Sequence, residues 1–346
     1  MTPIDLTTLG YDDEWAALAA SHGDGSGTVG RVGRVERGEC VVVTQGGTVT
    51  AASDELRSQD AVAPVTGDWV IVSDDPDMGA VVDTILPRRR ALVRRDPAEA
   101  VTEQVLAANV DVVGVVHGLD RPISLGRIER FLVIAADADA EQMVVLTKTD
   151  LVDDLESLVA SLEGVADTVI AVGQGHDGGL EQLHRLLAPA RTMALLGPSG
   201  VGKSTLVNRL VGEDIQDTAD VRDVDAKGRH TTTTRDLVVV PSGGVVVDTP
   251  GIRAVGLWDA EAALHTVYDD VSGVAAACRF RDCGHETEPG CAVRAAVESG
   301  ELDAGRVDRF RALRDELAEQ AEAIVERDRE AGRGRRRRRT PRHRRR

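Results

Sequence analysis

Lysine is almost missing from this chain. Of 41 basic residues only three are lysines, Lys148, Lys203 and Lys227. Where arginine's planar fork is the default cation, a compact ammonium marks a position with a different task. Aromatic residues make up 2% of the 346, which argues against gripping single-stranded nucleic acid by base stacking. No apolar run approaches ~18 residues, so no membrane partner is expected. The opening MTPIDLTTLGYDDE is acidic and has no apolar signal core, which places the chain in the cytoplasm. Four cysteines in a reducing compartment exclude a disulfide framework. The length leaves room for two or three domains, and there is no internal repeat.

Two of the three lysines fall in motifs with chemical content. Gly197-Pro198-Ser199-Gly200-Val201-Gly202-Lys203-Ser204-Thr205 satisfies G-x-x-x-x-G-K-[ST] between a short apolar strand and a helix. Gly197, Gly200 and Gly202 let the backbone curl so that successive N–H groups face phosphate oxygens. The following helix adds its positive end. Lys203 is a point charge for the β- and γ-phosphates, and Ser204 is the Mg²⁺ ligand.

The second motif is Thr147-Lys148-Thr149-Asp150, at the end of the strand Met143 to Leu146. A carboxylate at Asp150 accepts from guanine N1–H and N2, a donor pair that adenine lacks, so GTP is favoured over ATP. The stem of Lys148 lies along the base. Thr147 stands where the usual motif has Asn, and its hydroxyl replaces one amide hydrogen bond rather than two. A third strand ends in Asp248-Thr249-Pro250-Gly251, where Asp248 holds Mg²⁺ through water and the Gly251 N–H senses the γ-phosphate. Between these motifs lies a proposed switch, residues 228–234. One of its threonines completes the Mg²⁺ shell, with Thr232 or Thr233 favoured. Ile252 follows the glycine where a Ras-type enzyme has a water-orienting glutamine. Intrinsic hydrolysis is therefore expected to be slow, with His230 or a partner's group positioning the water.

The base-reading motif precedes the phosphate loop, the reverse of an ordinary small GTPase. Downstream, Cys278, Cys283, His285 and Cys291 follow C-x4-C-x-H-x5-C, a closed ligand set suited to one structural Zn²⁺. Cys40 stands apart and reads as an inert buried thiol in a strand. Short β-rich runs with glycine turns over residues 28–90 suggest a small barrel of OB type. Residues 301–330 read as an amphipathic helix, with Val307, Phe310, Leu313, Leu317 and Ile324 on one stripe.

Net charge is −17, yet residues 333–346 hold ten arginines and no acid. An acidic body repels RNA, so contact must come from local basic patches. The arginine tail and Arg88-Arg89-Arg90 with Arg94-Arg95 are the two candidates, and RNA would be read by shape and phosphate.

Barrel, permuted nucleotide domain and zinc cluster together resemble the RsgA (YjeQ/EngC) family of circularly permuted GTPases. The resemblance spans about residues 28–320. It rests on Gly67-Asp68-Trp69-Val70, AANVD at 107–111, GPSGVGKST, HTTT at 230–233, DTPG and CRFRDCGHETEPGC. It implies a GTPase that binds the 30S subunit and 16S rRNA late in assembly, is stimulated by them, and uses His230 in hydrolysis. GTP and GDP are the expected ligands and a monomer the expected state.

The expected fold class is multidomain α/β: an N-terminal OB-like β-barrel, a central circularly permuted P-loop GTPase domain and a C-terminal α-helical zinc-binding subdomain. Its divisions are a flexible N-terminus (1–27), barrel (28–95), GTPase domain (96–257), zinc subdomain (258–330) and disordered arginine-rich tail (331–346). Two rival functions remain at this stage: a zinc-stabilised RNA-binding module whose nucleotide site only senses occupancy, and a P-loop NTPase acting on another substrate.

Overall fold

The computed structural model describes residues 4–22, 25, 27–53, 63–95, 103–173, 177–188, 190–213, 236–248 and 260–338. The chain divides into two compact units, residues 1–93 with 104–255, and residues 94–103 with 256–346.

In the first unit, five short strands close into a barrel: β1 (Thr28–Val35), β2 (Glu39–Thr44), β3 (Gly47–Ala52), β4 (Trp69–Asp75) and β5 (Gly79–Ile85). Their order is β1-β2-β3-β5-β4, with β4 returning to β1. Only the β3–β5 pairing is parallel, the Greek-key arrangement of a small OB-like barrel. Val32, Cys40, Val42, Ala51, Val70, Val72 and Val82 fill its interior. Burial pushes the Cys40 thiol up to about 11, which keeps it protonated and inert.

Alternate residues of a strand face opposite ways. The run Trp69-Val70-Ile71-Val72 is apolar on both faces, so its outer face also needs cover. The N-terminal segment supplies it. The expectation that residues 1–27 are flexible fails for residues 4–22: a 3-10 turn at Leu6–Leu9 and helix α1 (Asp13–His22) are folded. Leu9 and Trp15 are buried with Trp69, Ile71 and Leu86, and Tyr11 and Trp15 lie 5.0 and 6.0 Å from the Trp69 ring. Each large apolar side chain so buried contributes about 1.5–3 kcal/mol.

After a two-stranded sheet of β6 (Ala91–Arg95) and β7 (Glu103–Ala108), the chain enters a six-stranded sheet. Its strands are β8 (Val112–Gly118), β9 (Glu141–Thr147), β10 (Val169–Val172), β11 (Thr192–Leu196), β12 (Asp236–Val239) and β13 (Val245–Asp248). The order is β10-β9-β8-β11-β13-β12, parallel except for the antiparallel edge strand β12. Every residue of β8, β11 and β13 is buried, as expected of strands covered on both faces. Helices α2 (Leu125–Asp137), α3 (Leu155–Ala160), α4 (Asp177–Leu187) and α5 (Lys203–Val211) complete the layer.

The barrel is fastened to this sheet by polar contacts. Arg31, fully buried on β1, donates to the Thr192 hydroxyl (2.8 Å), the Gly67 carbonyl (3.2 Å) and the Leu9 carbonyl. Burial lowers its guanidinium to about 10. The expected basic patch joins Arg88, Arg89 and Arg90 with Arg94 and Arg95, and its first three members carry ion pairs. Arg88 forks onto buried Asp68 (2.7 Å), Arg89 onto Asp12 (2.6 Å), and Arg90 reaches Asp111 (3.0 Å). Each of these three arginines is thus paired with an acid, while the side chains of Arg94 and Arg95, the other members of that patch, are not among those described.

The second unit is helical: α6 (Glu261–Val267), α7 (Asp269–Ala275), α8 (Ala292–Ser299) and α9 (Ala304–Arg338). Val307, Phe310 and Leu313 of α9 are buried as the stripe requires, and Leu317 is half-buried. Phe310 sits 5.4 Å from the Tyr268 ring. The α9 backbone continues to Arg338, so residues 331–338 are helical where disorder was expected.

Candidate nucleotide site and metal centre

In an open α/β sheet, ligands bind beyond the carboxyl ends of the strands where the connection reverses direction. Here the chain runs outward through β8, β9 and β10, then crosses back to place β11 on the other side of β8. The two loops that leave β9 and β11 therefore flank one crevice. The spatial arrangement is indifferent to which loop comes first along the chain.

The loop after β11 enters α5 at Lys203. Gly197 has φ +153°, and a Cβ there would lie 2.6 Å from the Val116 carbonyl oxygen on β8, so the backbone passes where no side chain fits. Lys203 is buried and its Nζ donates to the carbonyls of Gly197 (2.9 Å) and Pro198 (3.1 Å). Burial pulls its ammonium down, and Asp248 opposes that shift.

The loop after β9 is stitched to this one. The buried Thr147 hydroxyl donates to the Val201 carbonyl. The Lys148 Nζ donates to the Gly200 carbonyl at 2.7 Å and pairs with Asp120 at 3.0 Å. Lys148 takes a left-handed backbone, φ 57°, a strained geometry that is typical of functional loops. Thr149 is buried and Asp150 exposed in a single 3-10 turn. A Cβ on Gly173, at the end of β10, would fall 1.8 Å from Thr149 Oγ1. That residue too must lack a side chain.

Asp248 ends β13 and is 2% exposed. Among the described residues its Oδ1 has no hydrogen-bond partner, while the carboxylate takes a bond from the Ser204 hydroxyl. Burial raises the carboxyl and Lys203 lowers it. A buried carboxylate oxygen without a partner is costly unless something else meets it. An orphaned oxygen beside a serine hydroxyl is the hard-oxygen set that Mg²⁺ takes, so these residues fit the ion.

In the second unit, the donor atoms of Cys278, Cys283, His285 and Cys291 lie within 4.8 Å of one another. The Cys278–Cys291 Sγ separation is 3.9 Å, and His285 Nδ1 lies 3.7 and 3.5 Å from those sulfurs. With Zn–S near 2.3 Å and Zn–N near 2.0 Å, tetrahedral edges of roughly 3.5–3.8 Å follow. The quartet is thus spaced for Zn²⁺ with Nδ1 as the imidazole ligand. Glu288 accepts from the N–H groups of Gly284, Glu286 and Thr287 at 2.8–3.0 Å, fixing the loop that carries His285.

A family model described as RsgA GTPase matches residues 85–258. The chain is also 46% identical to the small ribosomal subunit biogenesis GTPase RsgA of Streptomyces avermitilis, over 89% of this chain and 84% of that one. The chain belongs to the RsgA GTPase family. A relative of the same description from Opitutus terrae is 39% identical, over 93% and 92% of the two chains. The crystal structure of YjeQ from Thermotoga maritima superposes with a TM-score of 0.63 at 27% identity, covering 84% of this chain and 98% of that one. The structure of YloQ, described as a circularly permuted GTPase, matches in fold with a TM-score of 0.59.

Family membership makes the inverted motif order a permutation of a GTPase domain. The phosphate loop, the 147–150 turn and Asp248 converge on one sheet edge. His230, Thr232, Thr233, Thr249, Gly251 and Ile252 lie outside the described residues. Asp120 escaped the sequence reading, because nothing near it in the chain signals its pairing with Lys148. The other motif residues of the resemblance are framework. Asn109 Nδ2 donates to the Gly67 carbonyl (3.1 Å), and Asp111 accepts from Thr192 N (2.8 Å) at the opposite end of the sheet.

Proposed function

We propose that this protein is a GTP hydrolase of small-ribosomal-subunit biogenesis, acting in the cytoplasm as a monomer, whose turnover is stimulated by the 30S particle and its 16S rRNA. The observation that carries the nucleotide reading is the stitching of Thr147 and Lys148 onto the Val201 and Gly200 carbonyls. It holds a guanine-type carboxylate, Asp150, at a fixed distance from a phosphate loop. The names of the relatives support the ribosomal half.

Binding GTP would draw the Lys203 ammonium from the Gly197 and Pro198 carbonyls to the β- and γ-phosphate oxygens. The N–H groups of residues 197–205 and the amino end of α5 face the same charge. Ser204, and Asp248 through water, would hold Mg²⁺, whose charge would offset that of the phosphates. Thr232 or Thr233 completes its shell, and the Gly251 N–H contacts the γ-phosphate. Asp150 accepts from guanine N1–H and N2, and Lys148 covers the base. Ile252 has no group to orient water, so His230 or a group on the ribosome positions the nucleophile. Zn²⁺ on Cys278, Cys283, His285 and Cys291 stiffens a surface that contacts rRNA. Few residues separate Gly251 from Cys278, which gives the switch a short covalent route to that surface.

The test is hydrolysis of GTP and of ATP, each with and without purified small subunits. The proposal expects GTP-selective turnover that rises steeply with the particle. Equal rates with and without it would overturn ribosomal stimulation. Tight GTP binding without turnover in either condition would instead establish a nucleotide sensor.

A further inference from the structure

One ion pair joins the barrel to the strand beside Asp248, the residue proposed to face Mg²⁺. Arg34, near the end of β1, forks onto Asp236, with Nε–Oδ1 at 2.5 Å and Nη2–Oδ2 at 2.7 Å. Asp236 is the first residue of β12 and the direct cross-strand partner of Asp248. Opposed residues of an antiparallel pair project to the same face at close range. Two carboxylates therefore face each other across the ladder, and like charges in that position destabilise a sheet. β12 has only four residues and lies at the sheet edge. It pairs with β13 on one side, and the Arg34 fork holds it from the other. It is also where the chain re-enters the sheet after the proposed switch at 228–234.

We infer that Arg34 is a positioning residue for the Mg²⁺–nucleotide site: the barrel pairs the Asp236 carboxylate and holds it in place so that Asp248 alone faces the cation. A bidentate guanidinium–carboxylate fork fixes both distance and plane, which a single contact does not. Without it, β12 keeps its β13 ladder and the packing of Leu237 against the Trp69 cluster, but the Asp236 side chain loses its bidentate anchor. Asp236 then repels the Asp248 carboxylate across the ladder and displaces it from the position that faces the cation. The barrel is in this way part of the nucleotide site without touching the nucleotide. The inference rests on Asp248 being the Mg²⁺-side residue.

The test uses the full-length protein and a non-hydrolysable GTP analogue, guanosine imidotriphosphate, titrated with Mg²⁺ in wild type, R34A, D236N and the double variant. R34A is expected to raise the Mg²⁺ concentration for half-maximal analogue binding roughly five-fold. Analogue affinity in EDTA should stay at the wild-type value. In the D236N background, adding R34A should change little, because the two side chains act as one unit. R34K, which keeps the charge and loses the fork, should fall between wild type and R34A, and it serves if R34A does not fold. Wild-type Mg²⁺ dependence in R34A, or an equal effect in both backgrounds, overturns the inference. Absence of any Mg²⁺ dependence in wild type overturns the site reading beneath it, which separates the two failures.

Discussion

Replacing Gly197 by alanine tests whether the phosphate loop is shaped by its packing on β8. The built Cβ falls 2.6 Å from the Val116 carbonyl oxygen, 0.4 Å inside the 3.0 Å limit that real Cβ contacts respect. Val116 is buried in β8, which pairs with β9 on one side and β11 on the other. Its backbone cannot retreat without disturbing two ladders, so the loop itself must move. The φ of +153° adds about 1–3 kcal/mol for a non-glycine residue, and the overlap adds about 1–3 kcal/mol more. A combined loss of about 2–6 kcal/mol is large against a typical total of about 5–15 kcal/mol. Gly212 provides the control. It also has positive φ, +80°, but nothing lies within 4 Å of its built Cβ, so alanine there costs only the backbone term, about 1–2 kcal/mol. Calorimetric melting and GDP titration of the two variants separate strain from clash. Gly197→Ala should melt well below Gly212→Ala and bind GDP at least roughly ten-fold more weakly, the displaced loop losing more than about 1.4 kcal/mol of contact. Matching melting points and affinities would refute packing on Val116 as the determinant of the loop.

Other predictions concern single roles. Asp150→Asn should weaken GTP and improve xanthosine triphosphate, because the amide reverses one hydrogen-bond direction; unchanged selectivity in a competition assay would remove Asp150 from base reading. His230→Ala should bind GTP normally and lose subunit-stimulated turnover, and surviving stimulation would assign the activation elsewhere. Thr147→Val keeps the shape and deletes the bond to the Val201 carbonyl, so GDP affinity should drop roughly five-fold for about 1 kcal/mol; an unaltered Kd would show that this stitch is idle. Chelating zinc, or Cys283→Ser, should lower the melting point of the α6–α9 unit while GTP binding persists. A single unaffected transition would mean that the quartet holds no structural ion.

Much of the site was legible because its parts are contiguous in the chain. The phosphate loop, the 147–150 turn and the Cys–His quartet each fit within fourteen residues or fewer, so spacing alone implies geometry. The central strands were legible for a related reason: strands buried on both faces are near-continuous apolar runs, as in 193–196 and 245–247. The N-terminal helix was not. Its cause is the outer face of β4, and Trp69 and Ile71 become a surface that needs cover only once the barrel has closed. The arginines at 88–90 read as a basic patch because their acids, Asp12, Asp68 and Asp111, lie at least 20 positions away.

By itself, then, the sequence determined the motifs: a phosphate loop, a carboxylate at the base-reading position, a Cys–His quartet at zinc spacing, and the inverted order of the first two. Such functions rest on backbone shape and ligand spacing over a few residues. Only the tertiary structure decided which charges stay available for partners and which are consumed internally. It also joined Arg34 to Asp236, 202 residues away, and set Asp236 against Asp248. Electrostatic pairing depends on which faces meet, and strand order settles that at long range. No local pattern carries that information.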